Sequence, residues 1–315
     1  MGILGSLFVL AIGLAVLMWA ADRFVVGASH LAARLRVPPI VIGAIVLGFG
    51  TSAPELVVST LAAAEGEVDL GLGNIVGSNV TNLALVLGVA ALIRPIELPK
   101  GTRRRAWVCL VSVILFGALV QDSPTLGDGI ILLGVMVLAL ILMVRMGTEE
   151  VEASGSLEVG SLGMAWVWTV GGLVTTVASA HYLVLGAATD LADRAGLAHG
   201  FIGFSLVAMG TSLPELMTVV AAARRDESDL ILGSLLGSNV FNSLCVGAGL
   251  FLAGDGPVTD VTLQTWGSVA AMVVAFVVVI FMYVGSPRRI DRPEGFVLLC
   301  GYVVVLILLA ASAGT

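Results

Sequence analysis

The chain has 315 residues, 58% hydrophobic and only 12% charged, with a mean hydropathy of +1.07 and a formal net charge of −7. Soluble domains carry about a quarter charged residues, so this composition excludes a soluble fold and, with its negative balance, a nucleic-acid partner. It specifies an all-α integral membrane protein, to be read as spans with the bilayer as solvent.

Segments of about 20 apolar residues occur at 3–21, 38–62, 70–93, 105–121, 127–145, 162–183, 200–223, 230–253, 263–284 and 294–312, which predicts ten transmembrane helices. The longest connection, 146–161, is acidic and contains Gly and Ser. It divides the chain into a first unit, 1–145, and a second, 162–315. With the N-terminus outside, 14 of the 15 Lys and Arg residues fall in cytoplasmic connections, and only Arg194 lies outside. That asymmetry predicts an N-out, C-out orientation in a plasma or inner membrane. The cysteines, Cys109, Cys245 and Cys300, stand singly in apolar runs without metal-ligand spacing, and His30, His181 and His199 form no motif.

The two units are related. Residues 43–86 align with 203–246 at a constant offset of 160, with 20 identities in 44 positions. Five spans per unit make the second copy cross the membrane in the opposite sense. Such inverted repeats characterise secondary transporters, which bind substrate near the midplane.

Each copy holds a carboxylate at membrane depth, Glu55 in Gly-Thr-Ser-Ala-Pro-Glu and Glu215 in Gly-Thr-Ser-Leu-Pro-Glu. A charge there costs at least ~2.5–3.5 kcal/mol, so its repetition points to a site. Pro54 and Pro214 lack an N–H and leave the Gly50 and Gly210 carbonyls without helical partners. Thr51 and Ser52 share a helical face with Glu55, as Thr211 and Ser212 do with Glu215. Carboxylate, hydroxyls and bare carbonyls form a hard-oxygen cluster suited to Na⁺ or Ca²⁺. A second repeated block runs Gly73-Asn-Ile-Val-Gly-Ser-Asn-Val-Thr-Asn82 and Gly233-Ser-Leu-Leu-Gly-Ser-Asn-Val-Phe-Asn242. Ser78 and Asn82 are four apart, as are Ser238 and Asn242, so each pair offers oxygens on one face; Gly73, Gly77, Gly233 and Gly237 permit close helix approach or local unwinding. Asn79-Val-Thr81 fits a glycosylation sequon but lies inside a span, where no glycan fits.

The paired blocks resemble the α-repeats of the cation/Ca²⁺ exchanger superfamily, in particular its prokaryotic Na⁺/Ca²⁺ exchanger branch, along essentially the whole chain. The resemblance implies a ten-helix bundle with four oxygen-lined cation sites between the second, third, seventh and eighth spans. Glu55 and Glu215 would ligate Ca²⁺ and line the neighbouring Na⁺ sites, while Thr51, Ser52, Ser78, Thr211, Ser212 and Ser238 add oxygens. The carbonyls of Gly48 and Ala208 would complete Na⁺ positions, and Asn82 and Asn242 would close the centre. Some relatives carry Asp at the position of Asn242; with Asn in both repeats the site holds two formal negative charges. Exchange of three Na⁺ for one Ca²⁺, the family's stoichiometry, would therefore be electrogenic.

The expected function is Ca²⁺ extrusion by Na⁺-driven antiport through alternating access, in which, as the resemblance implies, the first and sixth spans would slide on a rigid core. The partners expected are Na⁺, Ca²⁺ and the lipid bilayer, with no cofactor and no obligate protein partner. H⁺/Ca²⁺ exchange in the same fold is the alternative, since desolvated carboxylates take up protons. A passive cation channel fits the inverted repeat poorly, and an enzyme lacks a metal motif or nucleophile–base pair.

Overall fold

The computed structural model describes residues 3–122, 125–146, 161–187, 190, 208–254, 257–284 and 289–313. The first helix, α1 (Ile3–Leu35), is followed by a bent helix α2 in two pieces, Pro39–Thr51 and Ala53–Ala64, that turn by 42° at Ser52. Next come α3 (Val68–Ile93), a short strand β1 (Ile96–Glu97), α4 (Thr102–Leu119) and α5 (Leu126–Arg145). The second unit contributes α6 (Leu162–Val184), α7 in two pieces (Ala208–Thr211 and Leu213–Arg224) and α8 (Ser228–Ala253). It closes with α9 (Leu263–Val284), strand β2 (Arg289–Ile290) and α10 (Arg292–Ala313). Among the described residues, seven helices are long and apolar enough to cross a membrane, eight if the bent α2 pair is one span. The helix α4, with Arg103, Arg104 and Arg105 in its first turn, and α7, described only from Ala208, fall outside that count.

The protein is a multi-pass membrane protein. Leu4, Phe8, Val137, Ile130, Trp266 and Ile307 are more than half exposed around its perimeter, an apolar surface that water would not tolerate and lipid requires. One expectation is corrected at α1: residues 22–35, read as a connection, continue the helix through Asp22 and Arg23. No helix breaker stands there, and the end comes only before Pro38-Pro39. Linker residues 147–160, the start of the span at 200–223 and Arg194 lie outside the described residues.

Two helices form the centre. The apolar windows of α3 and α8 are each 78% buried, whereas those of α1 and α6 are 22% and 28% buried. The crossing of α8 with the first piece of α2 is backbone on backbone: a Cβ on Gly237 would lie 2.5 Å from the Ala44 carbonyl oxygen, and one on Gly233 2.3 Å from that of Ile40. Small residues are what let helices approach so closely in a bilayer. The pair α1–α6 uses the same device at Gly27, against Thr169, and Gly172, against Phe24. Strand β1 pairs antiparallel with β2 (Ile96 opposite Ile290, Glu97 opposite Arg289) and fastens the end of α3 to the start of α10.

The local geometry repeats at the sequence interval. Ser52 and Ser212 break their helices at φ −86°, ψ 6° and φ −89°, ψ 3°. Each break is followed by a 12-residue helical piece, then by a turn ending at Glu67 (φ −90°, ψ 56°) or Glu227 (φ −92°, ψ 60°). A π-helical stretch interrupts α3 at Thr81–Val86 and α8 at Asn242–Val246. Such π-bulges are rare in α-helices and recur at functional sites.

Candidate cation site

The break at Ser52 makes Ala53 and Pro54 the first two residues of a helix and sets Glu55 in its first turn; Leu213 and Pro214 do the same for Glu215. Proline is tolerated there because its missing N–H is unpaired at a helix start in any case. The helix N-terminus carries positive partial charge, which favours a carboxylate in the first turn. Both glutamates are fully buried. Their charges repel each other, and neither forms an ion pair with a basic side chain among the described residues.

The two helix starts meet. Ser52 donates its hydroxyl to Glu215 Oε1 at 3.0 Å, and Ser212 lies against Glu55 while its hydroxyl donates to Ser78 Oγ at 3.3 Å. Ser238 donates to the Gly48 carbonyl at 3.0 Å, and Thr51 donates to the Leu47 carbonyl at 2.8 Å. The structure thus brings Ser52, Ser78, Ser212, Ser238, Gly48, Glu55 and Glu215 into one polar centre formed by α2, α3, α7 and α8. Thr51 is buried at the same helix break, and Thr211 donates to Asn74 Oδ1 at 3.2 Å. Asn82, second in the π-helical stretch of α3, and Asn242, first in that of α8, are both at 0% exposure. Ala208 is the first described residue of α7. The Gly48 carbonyl, expected to face an ion, here accepts from Ser238.

Several of these polar atoms have no hydrogen-bond partner at normal geometry among the described residues: both carboxylate oxygens of Glu55, Oε2 of Glu215, and both amide atoms of Asn82 and Asn242. Buried charged oxygens left this way cost several kcal/mol unless a counter-charge reaches them. The donor set contains oxygen from carboxylates, hydroxyls and carboxamides and no sulfur or imidazole. That chemistry fits hard cations such as Na⁺ and Ca²⁺.

One polar residue that the sequence reading passed over, Asn74, belongs to this centre. Asn74 donates to the Glu55 carbonyl at 3.3 Å and to Ser59 Oγ at 2.9 Å, and Asn79 donates to Ser243 Oγ at 3.0 Å. Asn79, the residue of the discarded sequon, is 2% exposed. Asn239, its equivalent at the offset of 160, turns inward to the Leu235 carbonyl at 2.7 Å. A polar residue at the same place in both copies was the available signal, since Asn74 is matched by Ser234 and Asn79 by Asn239.

Comparison with known proteins agrees with this geometry. The family described as sodium/calcium exchanger protein matches residues 5–145 and 164–311. The chain is 38% identical to CaxA of Alkalimonas amylolytica over 98% of this chain and 100% of that one. It is 29% identical to the sodium/calcium exchanger MaX1 of Methanosarcina acetivorans, over 96% and 98%. A Ca²⁺/H⁺ antiporter of Synechocystis is 25% identical over 96% of this chain and 90% of its own. Among solved structures, the sodium-calcium exchanger NCX_Mj is similar with a TM-score of 0.86 at 29% identity, covering 97% of this chain and 99% of that one.

Proposed function

We propose, on the premise that this chain belongs to the sodium/calcium exchanger protein family, that it extrudes Ca²⁺ from the cell in exchange for Na⁺, electrogenically and by alternating access. The observation that carries this reading is the pair Glu55 and Glu215, both fully buried, mutually repelling and without a basic partner among the described residues. An empty site of that kind resists desolvation, whereas one Ca²⁺ neutralises its two charges and Na⁺ can replace it. A site that is costly when empty favours strict exchange over leak.

In this reading Glu55 and Glu215 bind Ca²⁺ directly, and Thr51, Ser52, Ser78, Thr211, Ser212, Ser238, Asn82, Asn242 and the Gly48 and Ala208 carbonyls complete the Ca²⁺ and Na⁺ positions. Ten spans in two inverted units place both termini outside a cell membrane. The repetition of helix break, turn and π-helical stretch at an interval of 160 supports the repeat. Grouping of Arg94 with Asp226 (2.6 Å), Arg225 with Asp22 (2.7 Å) and β1 with β2 at one end supports the orientation. The contrast between buried α3 and α8 and lipid-facing α1 and α6 supports a fixed core on which α1 and α6 slide.

Uptake of ⁴⁵Ca²⁺ into proteoliposomes under an outward Na⁺ gradient, against an imposed pH gradient, tests the coupling. Uptake should follow the Na⁺ gradient and generate a membrane potential; uptake driven by pH alone overturns the sodium assignment. The likeness to a Ca²⁺/H⁺ antiporter makes H⁺ exchange on the same two carboxylates the second reading.

A further inference from the structure

We infer that Asn74 is a positioning residue that makes the two halves of the cation site unequal, fixing the Glu55 helix and the Thr211 hydroxyl so that Na⁺ binding depends on it more than Ca²⁺ binding; this rests on the exchange reading above. Asn74 stands on α3, is 5% exposed, and reaches two other helices. Its amide nitrogen donates to the main-chain carbonyl of Glu55 at 3.3 Å and to Ser59 Oγ at 2.9 Å. Ser59 in turn donates to the Gly71 carbonyl at 3.2 Å, returning the chain of hydrogen bonds to α3. Its amide oxygen accepts from Thr211 Oγ1 at 3.2 Å, across the boundary between the two sequence units.

The orientation of this amide is forced. The Glu55 carbonyl can only accept, so the NH₂ group must face it and the oxygen must face Thr211, which then donates. A hydroxyl that donates to Asn74 points its lone pairs elsewhere, in the direction a cation can use. One side chain therefore engages both the first turn that carries Glu55 and the Thr211 hydroxyl.

The other half lacks the device. At the equivalent position stands Ser234, whose buried hydroxyl has no hydrogen-bond partner, and the equivalent of Ser59 is Val219, which can neither donate nor accept. Among the described residues, no side chain comparable to Asn74 holds the Glu215 helix from α8. The asymmetry has a chemical consequence. Ca²⁺ draws most of its binding from the two carboxylates, which Asn74 does not supply. Na⁺, with one charge, relies more on correctly aimed neutral oxygens, and Thr211 is one of them.

The test is Asn74→Ser, which installs the residue that the other half already carries, with Asn74→Ala beside it. In proteoliposomes, half-saturating Na⁺ is measured for Na⁺-driven ⁴⁵Ca²⁺ transport, and half-saturating Ca²⁺ for Ca²⁺/Ca²⁺ exchange, which needs no Na⁺. Loss of one aimed hydrogen bond of about 1 kcal/mol predicts a rise of about five-fold in half-saturating Na⁺, with the Ca²⁺ value within about two-fold of wild type. Equal shifts for the two ions, or none, would show Asn74 to be polar packing and overturn the inference. Wild-type transport in the same assay judges the exchange reading separately: if it ignores the Na⁺ gradient, that reading falls first and the Na⁺ role of Asn74 with it.

Discussion

The pair α3–α8 and the pair α1–α6 are made of similar residues and serve opposite ends. Glycine brings helices close in both regions, α8 against α2 at Gly233 and Gly237 and α1 against α6 at Gly27 and Gly172. Yet the apolar windows of α3 and α8 are 78% buried, and these helices carry Asn74, Ser78, Asn79, Asn82, Ser238, Asn239 and Asn242 in their interior, while only 22% and 28% of the apolar windows of α1 and α6 are buried. Buried polar side chains lock a helix, because moving it strands hydrogen-bonding groups in hydrocarbon. A helix that shows lipid only apolar atoms loses little by shifting. Among the described residues, polar links join α1 to the turn between α7 and α8 at its periphery: Asp22 with Arg225, as a two-pronged pair at 2.7 and 2.8 Å, and Ser29 with Glu227 at 2.8 Å. On the proposed exchange reading, ion holding and movement fall to different helices.

This comparison can be broken in order of expected effect. Glu55→Gln removes half of the site's charge, and Ca²⁺ flux in proteoliposomes should fall more than about 100-fold, the equivalent of ~3 kcal/mol; flux matching wild type would remove Glu55 from the site. Gly237→Ala and Gly172→Ala form a matched pair, since each new methyl meets backbone, the Ala44 carbonyl oxygen at 2.5 Å or the Phe24 nitrogen at 2.6 Å. Each should lower thermal stability in detergent, with a cost of about 1–3 kcal/mol for overpacking. The core variant should also weaken Ca²⁺ half-saturation, because the same crossing sets the Gly48 carbonyl and the Ser52 break. The α1–α6 variant should change turnover with Ca²⁺ half-saturation unchanged, and identical profiles would erase the distinction. Asp22→Asn has the smallest expected effect. Its ion pair is a third or more exposed on both sides, so at most about 1 kcal/mol is at stake. Turnover should shift by no more than about five-fold with ion affinities intact.

The helical spans were legible because the bilayer demands runs of apolar residues, and the breaks because Pro54 and Pro214 cannot sit inside a regular helix. The continuation of α1 past residue 21 was not legible. A hydropathy reading stops at Asp22 and Arg23, whereas the helix runs on to Leu35 and ends at Arg36, whose φ of 55° turns the chain just ahead of Pro38-Pro39. Asn74 illustrates the same limit within the site. Its spacing within the block marks a polar face of α3, but nothing local tells that this face meets both Glu55 and Thr211.

The sequence by itself determined the membrane class, the repeat at 160, the two buried charges and the kind of cation that oxygen ligands favour. Those follow from composition, periodicity and the chemistry of single residues. Only the tertiary structure decided that Ser52 of one unit reaches Glu215 of the other, and that both glutamates stand in the first turn of a helix. It alone revealed that one half of the site is clamped by Asn74 where the other has Ser234 and Val219. Contacts between segments far apart in sequence depend on how helices cross, and crossing is set by packing over the whole surface of each helix rather than by any short motif.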